Sequence, residues 1–188
     1  MATNEVLTTI KKRRSIRGFK EDQITDEELQ TVLEAGIYAP SAGNQQLWHF
    51  TVIQDKQLLD QLNVSAKAGA AQIDNEHIQQ IAKNEKFNIF YGAPTVVLVS
   101  GKEDGMVIEA DCAAATQNML LAAESIGLGA CWVNLILFAF SGEQGEQYKQ
   151  KLGVPAGYKS FSSVVLGYKK IEPVNAPPRK ENVINYIK

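Results

Sequence analysis

The stretch that most constrains this chain is Thr95-Val96-Val97-Leu98-Val99-Ser100. It is an unbroken apolar run, rich in β-branched residues and without polar alternation. A strand of that kind is buried on both faces. It therefore requires strands beside it and a layer on either side. The rest of the chain offers both. Residues 48–54 (WHFTVIQ) and 161–168 (FSSVVLGY) read as further strands, and 130–134 as a short one. Residues 106–126 read as a long Ala-rich helix, about 30 Å at about 1.5 Å per residue. Its Ala113, Ala114, Ala115, Ala122 and Ala123 allow another helix to approach closely, and Gly127 ends it. With 188 residues, 45% of them hydrophobic, the chain can bury such a core as one domain, 1–188. The fold class is α+β: a mixed central sheet flanked by helices.

Further helices fill the gaps. Val6, Leu7 and Ile10 give residues 4–12 helical spacing. Thr25-Asp26-Glu27-Glu28 has the order of a capping box, and Leu29, Val32, Leu33 and Gly36 make the stripe of a helix that Pro40 stops. Asp55 caps a helix to about Asn63, and Glu143 to Leu152 forms another. Residues 65–90 read as helical pieces around Gly69, arranged as a flap. The tail, 171–188, carries Pro173, Pro177 and Pro178 and then Val183, Ile184, Tyr186 and Ile187. It cannot make a core of its own and is expected to pack on another surface, such as that of a partner subunit.

Several chemistries are excluded. Two histidines and two cysteines without metal spacing leave no zinc site. There is no phosphate-binding loop and no nucleophile elbow. Ser41 could be imagined with His49 and Asp111, but no spacing supports a triad. Gly127-Leu128-Gly129 runs from helix to strand, the reverse of a dinucleotide fingerprint. A net charge of -2 provides no drive toward nucleic acid or anionic membrane. The unpaired cysteines, and an N-terminus without an apolar signal core, point to the cytoplasm.

Three segments could carry a ligand. Lys11, Lys12, Arg13, Arg14, Arg17 and Lys20 form a basic run around Ser15, suited to phosphate oxygens. Taken alone, it also reads as a solvated cationic face. Ala39-Pro40-Ser41-Ala42-Gly43-Asn44-Gln45-Gln46-Leu47-Trp48-His49-Phe50 leads from a helix end into a strand, with small and amide residues that could meet the edge of a planar heterocycle. It also reads as an ordinary turn. Pro178-Arg179-Lys180 could clamp a further phosphate oxygen.

In this order, R-R-S-I-R, A-P-S-A-G-N-Q-Q-L-W-H-F and the basic tail resemble the nitroreductase family in its short form. The G-A-P strand and the M-L-L-A-A helix between them fit as well. The resemblance covers nearly the whole chain and implies a nitroreductase-like fold, an intertwined homodimer and tightly held FMN at the subunit interface. It implies that Arg13, Arg14, Ser15 and Arg17 hold the phosphate, ribityl chain and ring edge. It places Pro40, Ser41, Gly43 and Asn44 on the partner's flavin, Trp132, Val133 and Asn134 beside the ring, and Arg179 on the phosphate. Asn84 and Lys86 are candidates for flavin contact.

No protein acid or base is required, because the flavin carries the hydride. NADH or NADPH would be the reductant, and a nitroaromatic or quinone the acceptor. A flavin-storing or flavin-sensing protein, and a flavin-dependent dehalogenase or flavin-modifying enzyme, are the alternatives. The chain departs from the family where Leu47 replaces the proline of a Q-P-W sequence and where Leu135 replaces a frequent glycine. The tail lacks a basic residue two before Arg179, which leaves Lys180 without an assigned role.

Overall fold

The computed structural model describes residues 3–171 and 175–188, and the backbone alone at 142 and 143. Pro173 lies outside the described residues. The helices are α1 (Glu5–Lys12), α2 (Asp26–Ile37), α3 (Lys56–Ala70), α4 (Glu76–Lys83), α5 (Ile108–Ser125) and α6 (Gly142–Lys151). The strands are β1 (Trp48–Ile53), β2 (Thr95–Lys102), β3 (Gly129–Trp132) and β4 (Tyr158–Gly167), in the spatial order β1-β2-β4-β3.

The apolar run becomes β2, one of the two inner strands, and Val96, Val97, Leu98 and Val99 are completely buried. Its side chains alternate between two cores, as a period of two requires. Val96 and Leu98 join Leu59, Leu62 and Ala66 of α3, together with Ile89, Phe90 and Ile136. Val97 and Val99 join Leu29 and Val32 of α2 and Cys112, Met119 and Leu120 of α5. The run is continuous because both faces of the sheet are covered. The named strands all pair antiparallel. The parallel contact that makes the sheet mixed is a bridge from Ser15 to Ala130, at the β3 edge.

The capping box at α2 forms as the sequence requires: Glu28 N–H donates to Thr25 Oγ1 at 3.2 Å, and Thr25 N–H to Glu28 Oε2 at 2.8 Å. Ala39 and Pro40 follow its end. The expected stop of the third helix near Asn63 is wrong, because α3 runs on to Ala70. Gly69 does not interrupt it. It lets α3 approach a 3-10 helix over Leu135–Phe140, where an added Cβ would fall 2.2 Å from the Phe138 carbonyl oxygen. α4 then supplies a second helical piece of the 65–90 region.

The Ala-rich helix approaches α2. Ala115 and Ala123 are fully buried, whereas Ala113, Ala114 and Ala122 remain half-exposed. Gly127 takes φ 85° just beyond the helix end, a left-handed position that favours glycine. No helix among the described residues is long and apolar enough to cross a membrane.

Candidate functional site

The basic run leaves α1 and lies along the β3 edge as an added strand. Ile16 N–H donates to the Ala130 carbonyl at 2.9 Å, and Lys20 N–H to Tyr168 O at 2.9 Å. Ile16 and Phe19 point into the core. Ser15 is half-buried and Arg17 is exposed. Arg17 lies over the Tyr91 ring, 5.9 Å from its centroid. Among the described residues, neither Arg13 nor Arg17 pairs with a carboxylate. Cys131 marks where these groups meet. Burial pushes its thiol pKa up, while Arg17, a hydrogen bond to Ser15 and Arg13 pull it down. Arg14 is turned elsewhere. Its guanidinium donates to Lys11 O at 2.8 Å and to Arg13 O, closing the C-terminal end of α1.

Trp132, Val133 and Asn134 continue from the same edge. Val133 is held by its N–H to Ser163 O (2.9 Å) and by Ser163 Oγ donating to its carbonyl (2.6 Å). Trp132 Nε1 donates to Asn134 Oδ1 at 2.7 Å. Among the described residues, the Asn134 N–H has no protein acceptor. A hollow of about 250 Å³ opens beside Trp132, lined also by Glu109, Ala113, Leu137 and Lys159.

The Pro40–Asn44 loop lies far from the basic run. Ala42 N–H donates to both Asp111 oxygens, at 3.2 and 3.3 Å, in the first turn of α5. The basic run is bridged to Ala130, just past the last turn of that helix. The 18 residues of α5 span about 27 Å between these points. Gly43, Asn44 and Gln46 have φ of 56°, 54° and 52°. Ser41 Oγ accepts from Gln46 N–H at 3.0 Å, so Ser41 closes its own turn. His49 is edge-on to Tyr158. The three residues therefore make no triad.

Among the described residues Arg179 reaches only the Pro177 carbonyl, at 3.5 Å, and Lys180 is exposed. Asn84 uses its side chain to accept from Lys86 N–H at 3.1 Å, while its carbonyl accepts from Lys67 Nζ at 2.6 Å. Tyr91 has no place in the sequence-based expectations, and Asp111 enters them only as a rejected triad partner of Ser41. Neither belongs to a motif segment, and only folding brings them to one.

The unpaired Arg13 and Arg17, the Ser15 hydroxyl and the open Asn134 N–H fit a phosphorylated, planar cofactor with an acceptor atom at its ring edge. Residues 10–168 match the nitroreductase family. A provisionally named NADH dehydrogenase/NAD(P)H nitroreductase of Archaeoglobus fulgidus is 35% identical over 89% of this chain and 87% of its own. The crystal structure of a nitroreductase with bound FMN from Bacteroides fragilis superposes with a TM-score of 0.91, at 37% identity over 99% of this chain and 100% of that one. A nitroreductase with bound FMN from Desulfitobacterium hafniense also gives 0.91, at 31% identity over the whole of both chains.

Proposed function

Given that the chain belongs to the nitroreductase family, we propose that it is an FMN-dependent NAD(P)H oxidoreductase acting on electron-poor acceptors such as nitroaromatics and quinones. The flavin supplies hydride acceptance and donation, and the chain supplies placement and electrostatics.

The observation that carries this reading is the gathering of Arg13, Ser15 and Arg17 at the β3 edge, beside the Trp132–Asn134 backbone. Arg13 and Arg17 would take the phosphate and the nearby ring edge as charge-assisted donors. The Asn134 N–H would face the ring nitrogen that exchanges hydride, and positive charge from Arg17 would favour the electron-rich reduced state. Arg14, occupied by its own helix end, would add charge rather than a direct contact. The hollow beside Trp132 would admit a flat acceptor.

The loop from Pro40 to Asn44 is tied to the first turn of α5, whereas the basic run lies beyond its last turn, so the loop would serve a flavin other than the one its own chain's arginines hold. A homodimer with a twofold axis would bring the loop of one copy to the basic run of the other. Ala110, Ala114, Gln117 and Leu121, exposed or half-exposed along one side of α5, offer a face for that contact.

The test is the visible spectrum of protein purified without added cofactor, before and after anaerobic NADH or NADPH. The reading expects flavin bands that bleach on reductant, about one FMN per chain, and fast NAD(P)H oxidation with a quinone. A colourless protein that refuses FMN would overturn it. A yellow protein without turnover would leave flavin binding and remove the enzyme.

A further inference from the structure

We propose that Asp111 is a positioning residue for the flavin site of the partner subunit: its buried carboxylate fixes the loop that one chain lends to the other. The inference rests on the two-chain flavin site proposed above.

Asp111 is 7% exposed and sits in the first turn of α5, beside the buried Cys112. A charge in that position is costly unless it is held by donors. The donor from outside its own helix is Ala42 N–H, at 3.2 and 3.3 Å from the two oxygens. The loop needs such a tie. Asn44 and Gln46 hold left-handed φ of 54° and 52°, which non-glycine residues adopt only under constraint. Other bonds of the turn are internal: Gln46 N–H to Ser41 Oγ and Gln46 Nε2 to Asn44 Oδ1, each 3.0 Å, with Asn44 N–H to Ser41 O at 2.9 Å and Gln45 N–H to Ala42 O at 3.1 Å. They shape the turn but do not place it. The Leu47 carbonyl, accepting from Lys102 N–H at 3.1 Å, holds its far end to the sheet. Asp111 holds its near end, directly between Ser41 and Gly43.

Three variants separate positioning from general stability. Asp111→Ala should bind FMN at least about tenfold more weakly, the loss expected when a donor to a charged group goes unheld. Asp111→Asn keeps one oxygen for the Ala42 N–H and should recover most of that affinity. Ala42→Pro removes the donor from the loop side. Ser41 is already extended (φ -140°, ψ 153°), which suits a following proline. It should reproduce the loss without touching α5.

The deciding experiment is a mixed dimer, purified by two tags, of one Asp111→Ala chain and one Arg13→Ala, Arg17→Ala chain. One of its two sites has an intact loop and an intact basic run. It should bind one FMN per dimer with wild-type affinity, although both parent homodimers bind poorly. No recovery in the mixed dimer, or wild-type affinity in both Asp111→Ala and Ala42→Pro, overturns the inference while wild-type protein still binds FMN. Wild-type protein that binds none overturns the flavin site itself, and the inference with it.

Discussion

At the residue scale, the arginines of the basic run look equivalent in sequence and are not equivalent in space. Arg14 is consumed by the carbonyls of Lys11 and Arg13, whereas among the described residues Arg13 and Arg17 pair with no carboxylate. Removing both in an Arg13→Ala, Arg17→Ala protein should cost about 1.5–3 kcal/mol for each lost phosphate contact, roughly ten- to hundredfold in FMN affinity apiece. Titration of the apoprotein with FMN measures this, and full retention of flavin would remove the phosphate assignment. Arg14→Ala should change affinity far less. The difference could not be read beforehand, because it depends on α1 stopping at Lys12 and folding Arg14 back.

The cysteines give a second prediction at this scale. Burial and the neighbouring Asp111 push the Cys112 thiol up to about 12, and burial raises Cys131 as well. Thiolate is the reactive form. Neither should react with a disulfide reagent at pH 8 in the native protein, and both should react after denaturation. Rapid native labelling of either would contradict its burial.

At the element scale, local order in the sequence was a good guide wherever one turn decides the structure. The Thr25–Glu28 pattern gave α2 its start, and the structure shows both halves of the box. Thr25→Ala should cost about 1 kcal/mol, measured by urea unfolding. The Thr25 backbone N–H is the main cause holding the Glu28 carboxyl pKa below its ordinary value, with Tyr168 and the Thr25 hydroxyl adding to it against desolvation. The linkage sign follows from that lowering. The contribution is fully present above the unfolded-state pKa and is lost as pH falls through the lowered one. Glu28→Gln should therefore flatten the acid limb of the stability curve while leaving neutral stability only slightly reduced. An unchanged acid limb would show that the carboxylate does not contribute there.

Elements shaped by distant partners were harder to read. The expectation ended the third helix near Asn63 and set Gly69 among separate helical pieces. Its role comes from the Phe138 carbonyl, 69 residues further along the chain, where no local rule can see it. Gly69→Ala should cost about 1–3 kcal/mol through that overlap despite the higher helix propensity of alanine, again read by urea unfolding.

At the scale of the whole molecule, a single copy of the chain leaves several apolar side chains exposed. Residues 175–188 are exposed throughout, with Tyr186 at 75% and Ile187 at 94%. α1 buries none of its residues and leaves Val6 at 64%, and Tyr38 stands at 77% just beyond α2. Ordering an extended tail costs conformational entropy that contacts must offset, and among the described residues the tail stays exposed along its length. The sequence already indicated as much, since a proline-stiffened segment ending in scattered apolar residues cannot bury them alone. What composition and spacing alone could not indicate was the distance between the Pro40–Asn44 loop and the basic run, which emerges only once α5 runs from Asp111 to the residues just before Ala130.

The proposed homodimer would account for both features, and they can be tested together. A chain ending at Ile171 loses Arg179 and the apolar end while keeping every described element of the sheet and its helices. If the tail seats on a partner subunit, this protein should keep its far-UV circular dichroism but sediment with a weaker monomer–dimer equilibrium. It should also release FMN on dilution, since each site would lose both a cation and the copy that completes it. A truncated protein that remains a tight dimer with full flavin would show that α1, α2 and α5 suffice for the interface. Arg179 would then have no part in holding the phosphate.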